Sequence, residues 1–200
     1  MQNVIVHALG VIPSVLFQKN FLPPELTWVP PTATVFTSMF LHGGWMHLIG
    51  NMLYLWVFGN NVEYAMGHIK YFLFYLLCGV AAVLAQALPD IHSQIPMIGA
   101  SGAISGVLGS YLLLYPKARV TVIIPIFIII KTIRVPALVV LLIWFAMQLY
   151  SSIVANADSG VAFGAHVGGF VAGMVFVALF KRSDVPLQIP FVHYHPFRTS

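Results

Sequence analysis

The sequence predicts an all-α membrane protein, a polytopic bundle of transmembrane helices. Of its 200 residues, 60% are hydrophobic and only 7% are charged, and the mean hydropathy is +0.92. Soluble domains carry about 25% charged residues, so this composition excludes an ordinary soluble protein. The apolar residues also occur in long runs, and a run of about 20 is enough for a helix to cross a bilayer.

The chain begins with a predicted extracytoplasmic region, residues 1–44, that combines an interfacial segment with a loop. Met1–Phe17 is apolar, but a histidine and a proline interrupt it. We therefore predict a segment that lies at the membrane interface, with a short first span as the alternative. Phe21–Thr34 is rich in proline and is predicted to be a loop, and Trp28 within it suits the membrane boundary.

The membrane domain is predicted over residues 45–182 and contains five spans. They are Trp45–Val62, Ile69–Leu88, Ile98–Tyr115, Val135–Ala155 and Gly160–Phe180. Another apolar segment, Val120–Ile130, is too short to span and is expected to lie against the membrane face. A polar turn is predicted at 156–159. The remaining residues, 183–200, are predicted to be a poorly ordered cytoplasmic tail.

The positions of the basic residues predict the orientation of the bundle. Among the nine Lys and Arg residues, only Lys19 falls on one side of the predicted spans, so the opposite side is assigned to the cytoplasm. The basic residues lie between spans and form no patch, so despite the net charge of +4 we expect a lipid bilayer and no nucleic acid as partner. We expect a prokaryotic cell membrane, and a site at the outer ends of Ile98–Tyr115 and Gly160–Phe180 would open to the extracytoplasmic side.

One predicted span carries a candidate nucleophile. The apolar run that begins near Ile98 places Ser101 in the first turn of a helix, where unpaired backbone N–H groups and the helix dipole favour negative charge. Gly102, Gly106 and Gly109 then form a face almost without side chains. Such a pattern alone is more typical of helix packing than of catalysis.

A histidine in the last span changes that interpretation. His166 lies beside a second stripe of small residues formed by Ala165, Gly169 and Gly173. Two such faces can pack closely enough for a hydrogen bond between Ser101 and His166. No carboxylate is embedded near His166, so we predict a Ser-His dyad in which packing or a backbone group orients the imidazole.

Two further polar residues lie at the outer end of the first predicted span. His47 and Asn51 are four residues apart and share one helix face. Their N–H groups could stabilise an oxyanion formed when Ser101 attacks a carbonyl group. One alternative is that Asn51 only bonds to a neighbouring helix. The other is a zinc site of His42, His47 and His166, which the spacing of five residues and the lack of an acidic partner disfavour. We expect no metal and no other cofactor.

Three motifs, in this order, resemble those of the rhomboid family of intramembrane serine proteases. They are His47-x-x-x-Asn51, Gly99-Ala100-Ser101-Gly102 and Ala165-His166-x-Gly168-Gly169. The similarity covers Phe36–Lys181 and includes Trp144 and Gln148.

The resemblance implies a helical bundle of the rhomboid type that cleaves transmembrane protein substrates. Ser101 would be the nucleophile and His166 the base, and Asn51, His47 and the Ser101 backbone N–H would form the oxyanion hole. Gly99, Gly102 and Gly169 would support these residues.

The sequence departs from the family pattern at three places. Thr32-Ala33-Thr34 stands where family members usually have a Trp-Arg pair, and Ser105 stands where some have an aromatic residue that supports the histidine ring. The stretch His7–Pro13 resembles the loop after the family's first helix, which implies that this helix would precede Met1. These departures leave an alternative, an inactive rhomboid-like protein that binds or escorts membrane helices. The joint presence of Ser101 and His166 favours the protease.

Overall fold

Helices dominate the computed structural model, which describes residues 2–126, 129–154 and 161–188. The polar turn predicted at 156–159 lies outside the described residues. So does most of the predicted tail, from residue 189 onward.

The N-terminal region folds onto the loop that precedes Ser101. It contains α1 (Gln2–Leu9), α2 (Pro13–Leu16), α3 (Pro31–Thr37) and two short 3-10 helices, Pro24–Leu26 and Ser38–Phe40. Val11 and Met97 pair in both directions through backbone hydrogen bonds of 3.0 and 2.7 Å. The Thr37 hydroxyl donates a bond of 2.6 Å to the carbonyl oxygen of Leu9. With eight residues, α1 is too short for the alternative of a first span.

The first predicted span is a helical rod with an irregular middle. It consists of α4 (Trp45–Tyr54), a π-helical turn (Leu55–Gly59) and α5 (Asn60–Met66). The rod therefore extends beyond its predicted end at Val62. It stops where Gly67 adopts a φ of +84°, a conformation that favours glycine.

Three later helices are long and apolar enough to cross a membrane. They are α6 (His68–Ala87), α8 (Ala137–Val154) and α9 (Phe163–Phe180), whereas α7 (Ser101–Leu114) is apolar but shorter. All three long helices lie within about three residues of their predicted bounds, because the apolar runs end at charged or turn-forming residues. The chain is an integral membrane protein, and the predicted number of five spans stays a prediction.

The glycine stripes bring α7 and α9 into backbone contact. A Cβ atom added to Gly169 would overlap the carbonyl oxygen of Gly102, and one added to Gly173 would overlap the carbonyl oxygen of Gly106. This confirms the predicted approach of the two smooth faces. Helix α6 packs against both, so α7 lies at the centre of the bundle, with nearly all its side chains buried.

The apolar segment between α7 and α8 forms an antiparallel hairpin. Its strands are β1 (Arg119–Ile126) and β2 (Ile129–Pro136), with Arg119 paired to Pro136 and Val122 to Ile133. The strands contain mostly Val, Ile and Thr, residues that favour extended backbone. The hairpin follows the C-terminal end of α7, at the end of the helix remote from Ser101.

Candidate active site

Ser101 is the first residue of α7, and a glycine two residues earlier sets that boundary. Gly99 has a φ of +122°, which interrupts the helix that the sequence predicts from Ile98. Its N–H donates a hydrogen bond of 2.9 Å to the carbonyl oxygen of Ser38. The start of α7 is therefore three residues later than predicted, and the first N–H groups of the helix, including that of Ser101, have no partner within the helix.

We expect Gly99→Ala to destabilise this loop by about 1–3 kcal/mol, the usual cost of a strained backbone position. An alanine would meet an unfavourable φ, and its Cβ would lie 2.8 Å from His47 Nε2. Thermal unfolding in detergent micelles measures the change. Gly44→Ala is the matched control, because Gly44 has an extended φ of 168° and no atom lies within 4 Å of an added Cβ. Equal melting temperatures for the two variants would contradict the prediction.

His166 lies in the first turn of α9 and faces Ser101. Its Nε2 atom is 2.8 Å from Ser101 Oγ, a hydrogen-bond distance. The N-terminus of α9 is held by Gln86 of α6, whose Oε1 accepts a bond of 3.1 Å from the backbone N–H of Ala165. The two candidate catalytic residues are thus in contact because the glycine faces of α7 and α9 let the two backbones approach.

A glutamine occupies the other side of the histidine ring. Gln148 Oε1 of α8 lies 2.7 Å from His166 Nδ1. The prediction that packing or a backbone group orients His166 is therefore incomplete, since a side-chain amide also holds it. The sequence contains one signal for this contact, since the spacing of four residues places Trp144 and Gln148 on one face of α8. In the structure that face points at His166, and the Trp144 ring centroid is 6.1 Å from that of His166.

Ser105 bonds to the backbone of Ser101 and not to the ring of His166. Its hydroxyl donates a hydrogen bond of 2.6 Å to the backbone carbonyl of Ser101 and so stays within α7. Ring contacts to His166 come instead from Trp144 and from Phe163, whose centroid is 6.3 Å away.

A cavity of about 360 Å³ opens beside the Ser101 hydroxyl. The residues of all three predicted oxyanion donors, Asn51, His47 and Ser101, line it together with His166. Asn51 is buried, and its Nδ2 atom has no hydrogen-bond partner within the described part of the chain. The exposed His47 uses Nδ1 to accept a bond of 3.4 Å from the backbone N–H of Gly43. A buried, unpaired N–H donor is costly, and an oxyanion in this cavity would pair with it.

The zinc alternative finds no ligand set in the described ranges. His42 and His47 are close, with ring centroids 5.1 Å apart. However, no three His, Cys, Asp or Glu side chains among residues 2–126, 129–154 and 161–188 converge on a position that could hold a metal ion.

Comparisons with known proteins identify the family of the chain. The family model described as Rhomboid domain matches residues 31–183. The chain is similar to Rhomboid protease GluP of Bacillus subtilis, with 32% identity over 68% of this chain and 24% of that protein. It is also similar to Rhomboid-related protein 2 of Mus musculus, with 30% identity over 80% of this chain and 53% of that protein. A third relative is RHOMBOID-like protein 5 of Arabidopsis thaliana, with 28% identity over 70% of this chain and 43% of that protein.

The chain thus spans between a quarter and about half of the length of these relatives. The family model, in contrast, covers most of the chain, from α3 to just beyond α9, and includes the two helices that carry Ser101 and His166. The chain therefore belongs to the rhomboid family.

Proposed function

We propose that this chain is an intramembrane serine endopeptidase that cleaves transmembrane segments with a dyad of Ser101 and His166. The observation that carries the proposal is the distance of 2.8 Å between Ser101 Oγ and His166 Nε2. The name of the Bacillus relative, a rhomboid protease, gives independent support.

The first chemical step forms an acyl-enzyme. Ser101 Oγ attacks the carbonyl carbon of a peptide bond while His166 Nε2 takes the hydroxyl proton. The carbonyl oxygen becomes an oxyanion, which the Ser101 backbone N–H, Asn51 Nδ2 and His47 stabilise. The C–N bond then breaks, and the imidazolium of His166 returns its proton to the leaving amine.

Water completes the reaction. It enters the cavity beside Ser101, and His166 takes one of its protons as the oxygen attacks the ester. The ester bond between the carbonyl carbon and Ser101 Oγ then breaks, the imidazolium of His166 returns its proton to Ser101 Oγ, and the acid product leaves. Because apolar side chains from α4, α7 and α8 surround the cavity, among them Met46, Leu108 and Trp144, we expect the cleaved bond to belong to a membrane-embedded segment.

The site opens to the extracytoplasmic side in this proposal. Ser101 and His166 lie at the N-terminal ends of α7 and α9, close to the loop that the N-terminal region covers. The cationic residues Lys117, Lys181 and Arg182 follow the opposite ends of the same helices, and cations mark the cytoplasmic side. The relatives come from a plant, a mammal and a bacterium and so do not favour a prokaryotic membrane over others.

The test uses a reporter substrate with one transmembrane segment, reconstituted with the purified protein in liposomes. Cleavage within the segment, together with labelling of Ser101 by a fluorophosphonate, is the expected result. A chain that neither cleaves nor is labelled would contradict the protease and would fit the inactive rhomboid-like protein.

We expect Asn51→Ala to lower kcat by about 10²- to 10³-fold, the usual cost of losing one oxyanion donor. The KM should change little, because the donor pairs with charge that develops only in the transition state. Steady-state kinetics on the reporter measure both constants. Asn60→Ala is the control, since Asn60 is an exposed asparagine on the same helical rod. An equal loss in both variants would show that Asn51 acts only through the stability of the rod.

A further inference from the structure

Both ring nitrogens of His166 have side-chain partners, and the two partners come from different helices. Nε2 lies 2.8 Å from Ser101 Oγ of α7, and Nδ1 lies 2.7 Å from Gln148 Oε1 of α8. The imidazole is therefore held by hydrogen bonds between the Ser101 hydroxyl and the Gln148 amide.

We propose that Gln148 is a positioning residue that fixes His166 in the tautomer with its proton on Nδ1. A carbonyl oxygen only accepts hydrogen bonds, so the nitrogen beside it must carry the proton. In a neutral imidazole Nε2 then keeps its lone pair, and the Ser101 hydroxyl donates to it. This assignment rests on the proposed function, because only a base needs a free lone pair on Nε2.

The two ends of the Gln148 amide would have opposite effects on the ring. With the NH2 group toward His166, Nδ1 would be the acceptor and the proton would move to Nε2. His166 would then donate to Ser101 Oγ and could not take its proton. Gln148 thus sets the direction of proton transfer through the orientation of its amide.

Gln148 holds the place that a carboxylate holds in a Ser-His-Asp triad. The acidic residues in the described ranges are all engaged elsewhere or exposed. Glu63 bonds to His68, Asp184 pairs with Arg182, and Glu25 and Asp90 are both exposed. A neutral amide orients the ring without placing a second charge in an apolar environment, where an ion is expensive.

The helix that carries Gln148 has few residues buried within the protein. Only 11% of the residues of α8 are buried within the protein, compared with 22% in α9. Among other positions, it contacts α9 at Phe170, whose ring lies 4.6 Å from that of Phe145 and 6.0 Å from that of Trp144. Since this contact also sets the position of Gln148, His166 is prepared as a base only while α8 is docked on α9.

The kinetic test compares Gln148→Leu, which has no acceptor, with Gln148→Glu, which keeps one. Gln148→Leu should lower kcat and the rate of fluorophosphonate labelling by about 10- to 100-fold. This loss is smaller than the roughly 10⁴-fold loss seen when a catalytic histidine is held in the wrong tautomer, because the leucine variant leaves both tautomers populated. Its KM should stay within about twofold of the wild-type value, because the ring acts in the transition state. Gln148→Glu should recover most of the labelling rate. Gln148→Met keeps the length of the side chain and repeats the test if leucine disturbs packing.

The control is Ser152→Ala, one turn further along α8. The exposed Ser152 hydroxyl donates a bond of 2.7 Å to the carbonyl of Leu149 in its own helix. Ser152→Ala should leave kcat unchanged. A loss of kcat equal to that of Gln148→Leu would overturn the proposal, because it would show that any change in α8 has this effect.

A spectroscopic readout is independent of activity. In ¹⁵N spectra of protein labelled at histidine, the His166 signals are assigned by their loss in His166→Phe. The wild type should show the tautomer protonated on Nδ1, and Gln148→Leu a mixture of both tautomers. A wild-type signal protonated on Nε2, or an unchanged spectrum in Gln148→Leu, would overturn the proposal. If the wild type is not labelled by fluorophosphonate, the proposed function fails, whereas the spectra still decide what fixes the ring.

Discussion

Ser101→Ala is expected to lower the rate of substrate cleavage by several orders of magnitude and to abolish fluorophosphonate labelling. The hydroxyl that lies 2.8 Å from His166 Nε2 is the only atom of this side chain that can attack a carbonyl. Binding and the oxyanion donors remain, so a small residual rate above that of water is expected. Cleavage of the transmembrane reporter in liposomes, followed over hours, measures the loss.

The matched control lies on the same helix. Ser110 is buried in α7, and its hydroxyl donates a bond of 2.8 Å to the carbonyl of Val107 within the same helix. Ser110→Ala should therefore cleave the reporter at the wild-type rate. His166→Ala should lose as much activity as Ser101→Ala, and the double variant no more, because residues that act as one unit are not additive. Substantial cleavage by Ser101→Ala would refute the proposed mechanism.

The sequence predicts the long helices well because the apolar runs define them. The pattern predicts α6 over Ile69–Leu88, and it occupies His68–Ala87. It predicts α8 over Val135–Ala155, and that helix occupies Ala137–Val154. The approach of Ser101 to His166 was also predictable, because two glycine stripes at helical spacing indicate two backbones in close contact. The candidate dyad thus follows from local patterns on two separate helices.

Other features depend on how elements meet in three dimensions. The bond between Gln148 and His166 requires a particular rotation and depth of α8 against α9, and periodicity within α8 does not encode either. The start of α7 depends on the positive φ of Gly99, which an apolar run starting near Ile98 conceals. The strands Arg119–Ile126 and Ile129–Pro136 form because each supplies backbone partners for the other, a pairing that hydropathy along a single segment does not reveal.

The second large effect is expected from Gly173→Val, which should destabilise the fold by about 3 kcal/mol or more, the upper end of the usual range for overpacking. A Cβ atom on Gly173 would overlap the backbone of Gly106 at its carbonyl oxygen, carbon and Cα. The position of Cβ is fixed by its own backbone and the atoms it meets are backbone atoms, so no rotamer change relieves the overlap and α7 and α9 must separate. Because Ser101 and His166 lie on these two helices, the variant should lose fluorophosphonate labelling as well as folded protein.

Thermal unfolding in detergent micelles, with labelling measured at each temperature, distinguishes this packing effect from a general effect of valine in a helix. Gly50→Val provides the comparison, because Gly50 lies within α4 and no atom is within 4 Å of an added Cβ. It should change the free energy of unfolding by less than about 1 kcal/mol, since valine and glycine are both moderate to poor helix formers. If the two variants melt at the same temperature, close contact between α7 and α9 does not stabilise the bundle. The glycine stripes would then lose their role in bringing the hydroxyl and the imidazole together.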